Sequence, residues 1–261
     1  MKIQMYQVDA FTAQLFGGNP AAVCPLEHWL DKATMQAIAA ENNLSETAFF
    51  IPYGNGFDLK WFTPTMEVDL CGHATLASAH VIFNHLNYPE SVISFHSNSG
   101  LLMVSKTDDI LTLNFPANSP KPIAISTELI EVLGKKPLEV YDSIYQMAVF
   151  ESEKDIFQLQ PDFAKLANMN SIIVTAPGTK SDFVSRFFAP DKGINEDPVT
   201  GSAHTILTPF WSERLGKKSL HALQVSERGG ELWCEVLEND RVAISGKAVT
   251  YLEGTIQVKA G

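Results

Sequence analysis

Cysteine is scarce in this chain: there are three, Cys24, Cys71 and Cys234, odd in number and far apart. That pattern excludes a disulfide-framed secreted scaffold and points to reduced thiols in a cytoplasmic protein. Positive charge is also in short supply, with 19 Lys and Arg against 30 Asp and Glu and a formal net charge of -11. Nucleic acid and anionic membranes would repel such a chain, and its Lys and Arg form no cluster that would override the repulsion. No apolar run approaches the roughly 20 residues of a membrane helix. The N-terminal stretch Met1 to Ala10 alternates like a strand and lacks the apolar centre of a signal peptide. Absent as well are the G-x-S-x-G elbow of a serine hydrolase and the G-x-G-x-x-G fingerprint of a dinucleotide site.

What is present suits a globular protein of one large domain or two smaller ones: 261 residues, 45% hydrophobic and 19% charged. Strands are expected at Lys2 to Phe11, Ala21 to Pro25, Thr47 to Ile51 and Phe57 to Phe62. Phe16 to Pro20 reads as a turn, because Gly and Asn tolerate positive φ. Asp31 can cap a helix over Lys32 to Asn43. A second helix, His73 to Leu86, is apolar nearly all round and belongs inside the structure. Three more strands end this half, and Pro116 to Pro122 reads as a linker. The second half repeats the plan, with strands at Leu138 to Asp142, Tyr145 to Phe150, Ile172 to Ala176 and Phe183 to Phe188, then a helix over Ala203 to Leu215. A helix is also expected around Pro161 to Met169, and the last strand at Arg241 to Gly246.

The two halves share a strand–loop–helix device. Trp61-Phe-Thr-Pro leads through a loop to Asp69-Leu-Cys-Gly-His-Ala-Thr75, and Arg186-Phe-Phe-Ala-Pro190 leads to Asp197-Pro-Val-Thr-Gly-Ser-Ala-His204. The spacing from Gly72 to Gly201 and from Gly100 to Gly230 differs by a single residue. Four features in matching order indicate duplication of a whole unit, with lobes at 1–116 and 117–261 and a terminal segment free to pack on the first.

The glycines at the two helix starts, Gly72 and Gly201, let a ligand approach backbone N–H groups at a positive dipole end. Two such ends suit a small carboxylic acid and the negative charge left when a proton is removed. Either motif alone would more often be an ordinary cap; the pairing favours the ligand. For the base, Glu46 lies between a helix end and an apolar strand, where a partly buried carboxylate would titrate nearer neutrality. A solvated Glu is the commoner case for such spacing. Cys71 competes, since a thiol ahead of a helix N-terminus can ionise. A racemase with one base per half would need a second acid or base opposite Cys71, and that place holds Thr200. Asp197 offers a proton partner, an anchor or a cap. Ser202 and His204 are two apart at a helix start and point away from each other, so they form no triad. His73 and His80 share a helix face without a third ligand, so no metal is expected.

At these residues the sequence resembles the phenazine-biosynthesis (PhzF-like) isomerase family, of the diaminopimelate-epimerase-like fold. The matching stretches are Val8 to Phe11, Gly18 to Ala22, Asn43 to Phe49, Phe62 to Thr75, Arg186 to Pro190 and Glu196 to His204. The resemblance implies an α+β fold of two pseudo-symmetric lobes, each a curved mixed sheet or barrel wrapped around a central helix, with the active site in the cleft between them. It implies that Glu46 is the acid/base and that His73, Asp197 and Ser202 bind and orient the substrate. It further implies a homodimer with no cofactor or metal. The expected activity is a cofactor-independent isomerase shifting a proton on a small unsaturated or cyclic carboxylic acid. Two alternatives stay open: an amino-acid racemase or epimerase using Cys71 with Glu46 or Asp197, and an inactive small-acid-binding or scaffold protein.

Overall fold

A computed structural model describes residues 1–258. The chain divides into two units, Met1–Asn114 with Ser245–Gly261, and Phe115–Ile244. The first begins with β1 (Lys2–Ala10), β2 (Asn19–Pro25), α1 (Lys32–Asn42), β3 (Glu46–Tyr53), β4 (Gly56–Phe62) and β5 (Glu67–Val68). It continues through α2 (Gly72–Asn84), β6 (Val92–Ser97), β7 (Gly100–Thr107) and β8 (Ile110–Pro116). The second contains β9 (Lys121–Ile123), α3 (Thr127–Leu133), β10 (Glu139–Asp142), β11 (Gln146–Val149), α4 (Glu153–Gln158) and α5 (Phe163–Leu166). Then follow β12 (Ile172–Pro177), β13 (Phe183–Ala189), β14 (Ile194–Asp197), α6 (Gly201–Leu215), β15 (Ser219–Gln224), β16 (Gly230–Leu237) and β17 (Arg241–Gly246). The last strand, β18 (Ala248–Gln257), lies against β1.

The apolar helix expected to lie inside does so: Leu76, Val81 and Ile82 of α2 are wholly buried, and the helix packs on β1, β2, β3 and β18. Each such side chain contributes on the order of 1.5–3 kcal/mol by leaving water. Asp31 caps α1 by accepting from Thr34 N, and Asn43 closes it in the left-handed region at φ 49. No helix of the described residues is long and apolar enough to cross a membrane.

The duplication extends to strand pairing. In the first unit β1 pairs β2 and β18 antiparallel, β2 pairs β3 parallel, β3 pairs β4 antiparallel, and β4 pairs β5 antiparallel and β6 parallel. In the second unit β10 pairs β11 and β9 antiparallel, β11 pairs β12 parallel, β12 pairs β13 antiparallel, and β13 pairs β14 antiparallel and β15 parallel. Thus β9 and β18 hold the same place in their units.

Both were missed in the sequence. The expected linker Pro116 to Pro122 runs into β9, whose three residues are exposed and carry no alternation. β18 is half-exposed along most of its length, and its order comes from pairing with β1 from Lys2 to Ala10. The helix expected around Pro161 to Met169 shortens to α5, with Asp162 accepting from Lys165 N as its cap. β5 and β14 are too short to leave a periodic signal.

The Arg186 motif is a brace. Its guanidinium donates to both Glu196 oxygens at 2.7 Å and to the carbonyls of Ile156 and Leu159 at 3.1 and 2.9 Å, tying β13 to β14 and to the end of α4. Arg186→Met would strand a half-buried carboxylate and two carbonyls. Urea denaturation should show a loss of about 2–4 kcal/mol.

Candidate active site

In the first unit the site is built by β2, β3 and the start of α2. β1 ends at Ala10, and the chain returns through Gly18, at φ +62, where an added Cβ would sit 2.1 Å from the Ala10 carbonyl oxygen. Only glycine fits that turn. It delivers Asn19 into β2 fully buried. The left-handed angles fall at Phe16 and Gly18, so Asn19 is not the turn residue that sequence reading made it. Glu46 opens β3 opposite Ala21. Cys71 is the N-cap of α2 in extended conformation, and Gly72 and His73 begin the helix.

These elements bring four predicted site residues together. His73 Nε2 lies 3.2 Å from Glu46 Oε2, at ion-pair distance but off the ideal hydrogen-bond line. On the opposite edge of the ring, Nδ1 is 3.2 Å from Asn19 Nδ2 and 3.5 Å from Cys71 Sγ. Burial pushes the His73 pKa down to about 3, so the ring is neutral. Glu46, Cys71 and His73 each offer a ligand-type atom within 4.8 Å of the others, a grouping that the His73–His80 spacing did not suggest. Thiol and carboxylate nevertheless meet different nitrogens of the imidazole. That arrangement fits a hydrogen-bond relay better than one shared ion.

In the second unit Asp197, Gly201 and Ser202 stand at the start of α6. Asp197 is buried and accepts from Thr200 Oγ1 at 2.5 Å. Gln224, from β15 and itself buried, clamps the same turn: its Oε1 accepts from Thr200 N at 2.8 Å, and its Nε2 donates to Asp197 O at 2.8 Å. Tyr145 OH lies 3.2 Å from Ser202 Oγ. Asn19, Gln224 and Tyr145 escaped the sequence reading because each is remote from the motif it serves, Asn19 and Gln224 on strands and Tyr145 in the bend before β11. Only Asn19 left a signal, a polar residue directly after two glycines and ahead of an apolar strand.

Two further observations bear on the chemistry. The helices α1, α3 and α5 have N-cap side chains, Asp31, Ser126 and Asp162, that accept from their own first turn. The central helices α2 and α6 have none, their caps being Cys71 and Thr200. In addition, the matched registers align the two units residue by residue. Thr47 pairs Ala22 and Phe62, as Ile172 pairs Gln146 and Phe188. The counterpart of Glu46 is therefore Ser171, whose hydroxyl donates to Asp191 Oδ1 at 2.7 Å. Cys71 and His73 correspond to Thr200 and Ser202.

The family model described as phenazine biosynthesis-like protein, PhzC-PhzF, matches residues 8–254. The chain belongs to this family. An uncharacterized isomerase of Pseudomonas aeruginosa is 49% identical over 261 residues, covering 99% of this chain and 100% of that protein. A crystal structure of a PhzF-family protein from Enterococcus faecalis superposes with a TM-score of 0.97 at 47% identity, over 99% of this chain and 100% of that one. A predicted epimerase of Pseudomonas aeruginosa, 18% identical with a TM-score of 0.76 over 98% of this chain and 100% of its own, shows the fold alone. The chain is an isomerase of the PhzF-like family with the mixed α+β fold of that group.

Proposed function

We propose that this PhzF-like isomerase moves a proton on a small unsaturated or cyclic carboxylic acid without a cofactor, Glu46 removing the proton and redelivering it. One observation carries the reading. Of two units with the same strand pairing, only the first has a carboxylate, a thiol and an imidazole at the matched positions Glu46, Cys71 and His73. The second has Ser171, Thr200 and Ser202 there. Its own acid, Asp197, stands in the place of Val68, opposite Phe187 as Val68 is opposite Trp61. That asymmetry supports one proton-transfer centre over a base in each half.

The uncapped starts of α2 and α6 are suited to a carboxylate and to enolate-like charge, with Asp197 and Ser202 as substrate-orienting groups. His73, neutral and 3.2 Å from Oε2, holds Glu46 in place. The reading carries with it a homodimer in a reducing, cytoplasmic setting. A thermal-shift screen of small carboxylic acids, with each hit followed by proton NMR in deuterated water, tests it. Site-specific uptake of solvent deuterium is the expected result, and binding without exchange would leave only a binding protein.

The racemase alternative needs Cys71 as a base. With Asn19 Nδ2 donating to His73 Nδ1, that nitrogen is unprotonated, so the nearby sulfur can meet it only as a thiol. Cys71→Ala should keep the exchange rate within about threefold and cost on the order of 1 kcal/mol for its small buried side chain. Exchange lost in a folded Cys71→Ala protein would restore the thiol to the mechanism.

A further inference from the structure

We propose that Asn19 is a positioning residue that fixes the tautomer of His73, and through it the orientation of Glu46. This rests on the reading of Glu46 as the acid/base. Asn19 is itself fully buried at the first position of β2, placed there by the left-handed turn at Gly18. Its side-chain amide nitrogen lies 3.2 Å from His73 Nδ1. An amide N–H can only donate, so the ring nitrogen facing it must be the acceptor. A neutral imidazole with Nδ1 as acceptor carries its proton on Nε2. Nε2 is the atom 3.2 Å from Glu46 Oε2.

The chain of contacts therefore has a direction: Asn19 donates to His73 Nδ1, and the Nε2–H edge of the ring is the one beside the Glu46 carboxylate, at 3.2 Å but off the hydrogen-bond line. A turn of the carboxylate onto the N–H line would complete the hydrogen bond, the kind of tightening apo sites undergo around substrate. The opposite tautomer would aim an N–H at the amide N–H and a lone pair at the carboxylate, two repulsive contacts in a dry site. The second unit has an imidazole two residues further along its helix, at the place matched by Thr75. Its buried His204 lies 2.9 Å from the Thr200 carbonyl through Nδ1, so its proton is on Nδ1.

The test is nitrogen NMR of protein labelled with 15N-histidine, His73 being assigned among the 7 histidines by its loss in His73→Gln. The expected spectrum has Nδ1 of His73 unprotonated and Nε2 protonated near neutral pH. In Asn19→Asp a carboxylate replaces the donor and should draw a proton onto Nδ1. A protonated Nδ1 in the wild type, or an unchanged pattern in folded Asn19→Asp, would overturn the proposal. The wild-type spectrum decides the question alone if the variant does not fold. Asn19→Leu, which removes the donor without adding charge, should lower the solvent-exchange kcat by about 10²-fold with little change in KM. A folded Asn19→Leu protein with wild-type kcat would also sink it. The spectrum needs neither substrate nor turnover. A Glu46→Gln variant with full exchange would overturn the Glu46 reading and leave the tautomer result standing. A wrong tautomer alongside an inactive Glu46→Gln would remove Asn19 alone.

Discussion

Glu46→Gln should slow exchange of the substrate's hydrogen with solvent by about 10²–10⁴-fold, the range typical of a lost general base. The variant keeps the shape of the side chain and an oxygen for His73 Nε2–H, 3.2 Å away in the wild type, so the fold should be little disturbed. The amide cannot take up a proton, and no group at the matched position of the second unit can replace it, since Ser171 there is already bonded to Asp191. Substrate affinity should change little, because the uncapped start of α2 is untouched. Loss should therefore appear in kcat more than in KM. The measurement is deuterium incorporation by NMR beside a binding isotherm on the same sample. A Glu46→Gln protein that exchanges at the wild-type rate would mean that the base is elsewhere, with Asp197 the next residue to test.

Much of this is legible in the sequence, and the reasons differ by feature. α2 could be read because a helix apolar on every side has few places to go, and α1 because Asp31 and Asn43 are good punctuation. The duplication was visible because glycines at helix starts and turns keep their spacing when little else does. The site was legible in parts. Cys71, Gly72 and His73 are neighbours in sequence, but that Glu46 would meet His73 is a consequence of β3 starting opposite Ala21 of β2, next to α2. Asn19 was misread for the same reason. Its turn-like neighbours were plain, whereas its burial depends on strand pairing with β1 and on the helix above it. β18 was invisible because a half-exposed strand has no alternation to detect, and its partner is the first strand of the chain.

The same burial that orders these histidines should make the protein acid-labile. His73 and His204 are fully enclosed, with pKa values pushed by desolvation to about 3 and about 4 from 6.5. His204 donates its Nδ1–H to the Thr200 carbonyl, and among the described residues its Nε2 has no hydrogen-bond partner. The sign follows from the proton count. Folded values lie below unfolded ones, so the unfolded chain binds more protons as pH falls. The stability these groups confer is fully present above pH 6.5 and is lost as pH drops from there toward about 4 for His204 and about 3 for His73. Two such groups give a slope of roughly 3 kcal/mol per pH unit near pH 5, a large fraction of the roughly 5–15 kcal/mol that holds a protein folded. His80 adds to it, lowered by burial and by the neighbouring charges of His85 and Lys106. Carboxylates such as Asp155, held low by its hydrogen bond from Lys135, act in the same direction but only below their own unfolded range near 3.8. The pH window therefore separates the two causes. Urea midpoints should fall steeply between pH 6.5 and 5, where carboxylates contribute little. His204→Gln should flatten that slope by about one proton while lowering stability at pH 7. A midpoint constant from pH 7 to 5 would mean that water reaches these rings, and the neutral His73 beside Glu46 would then lose its physical basis.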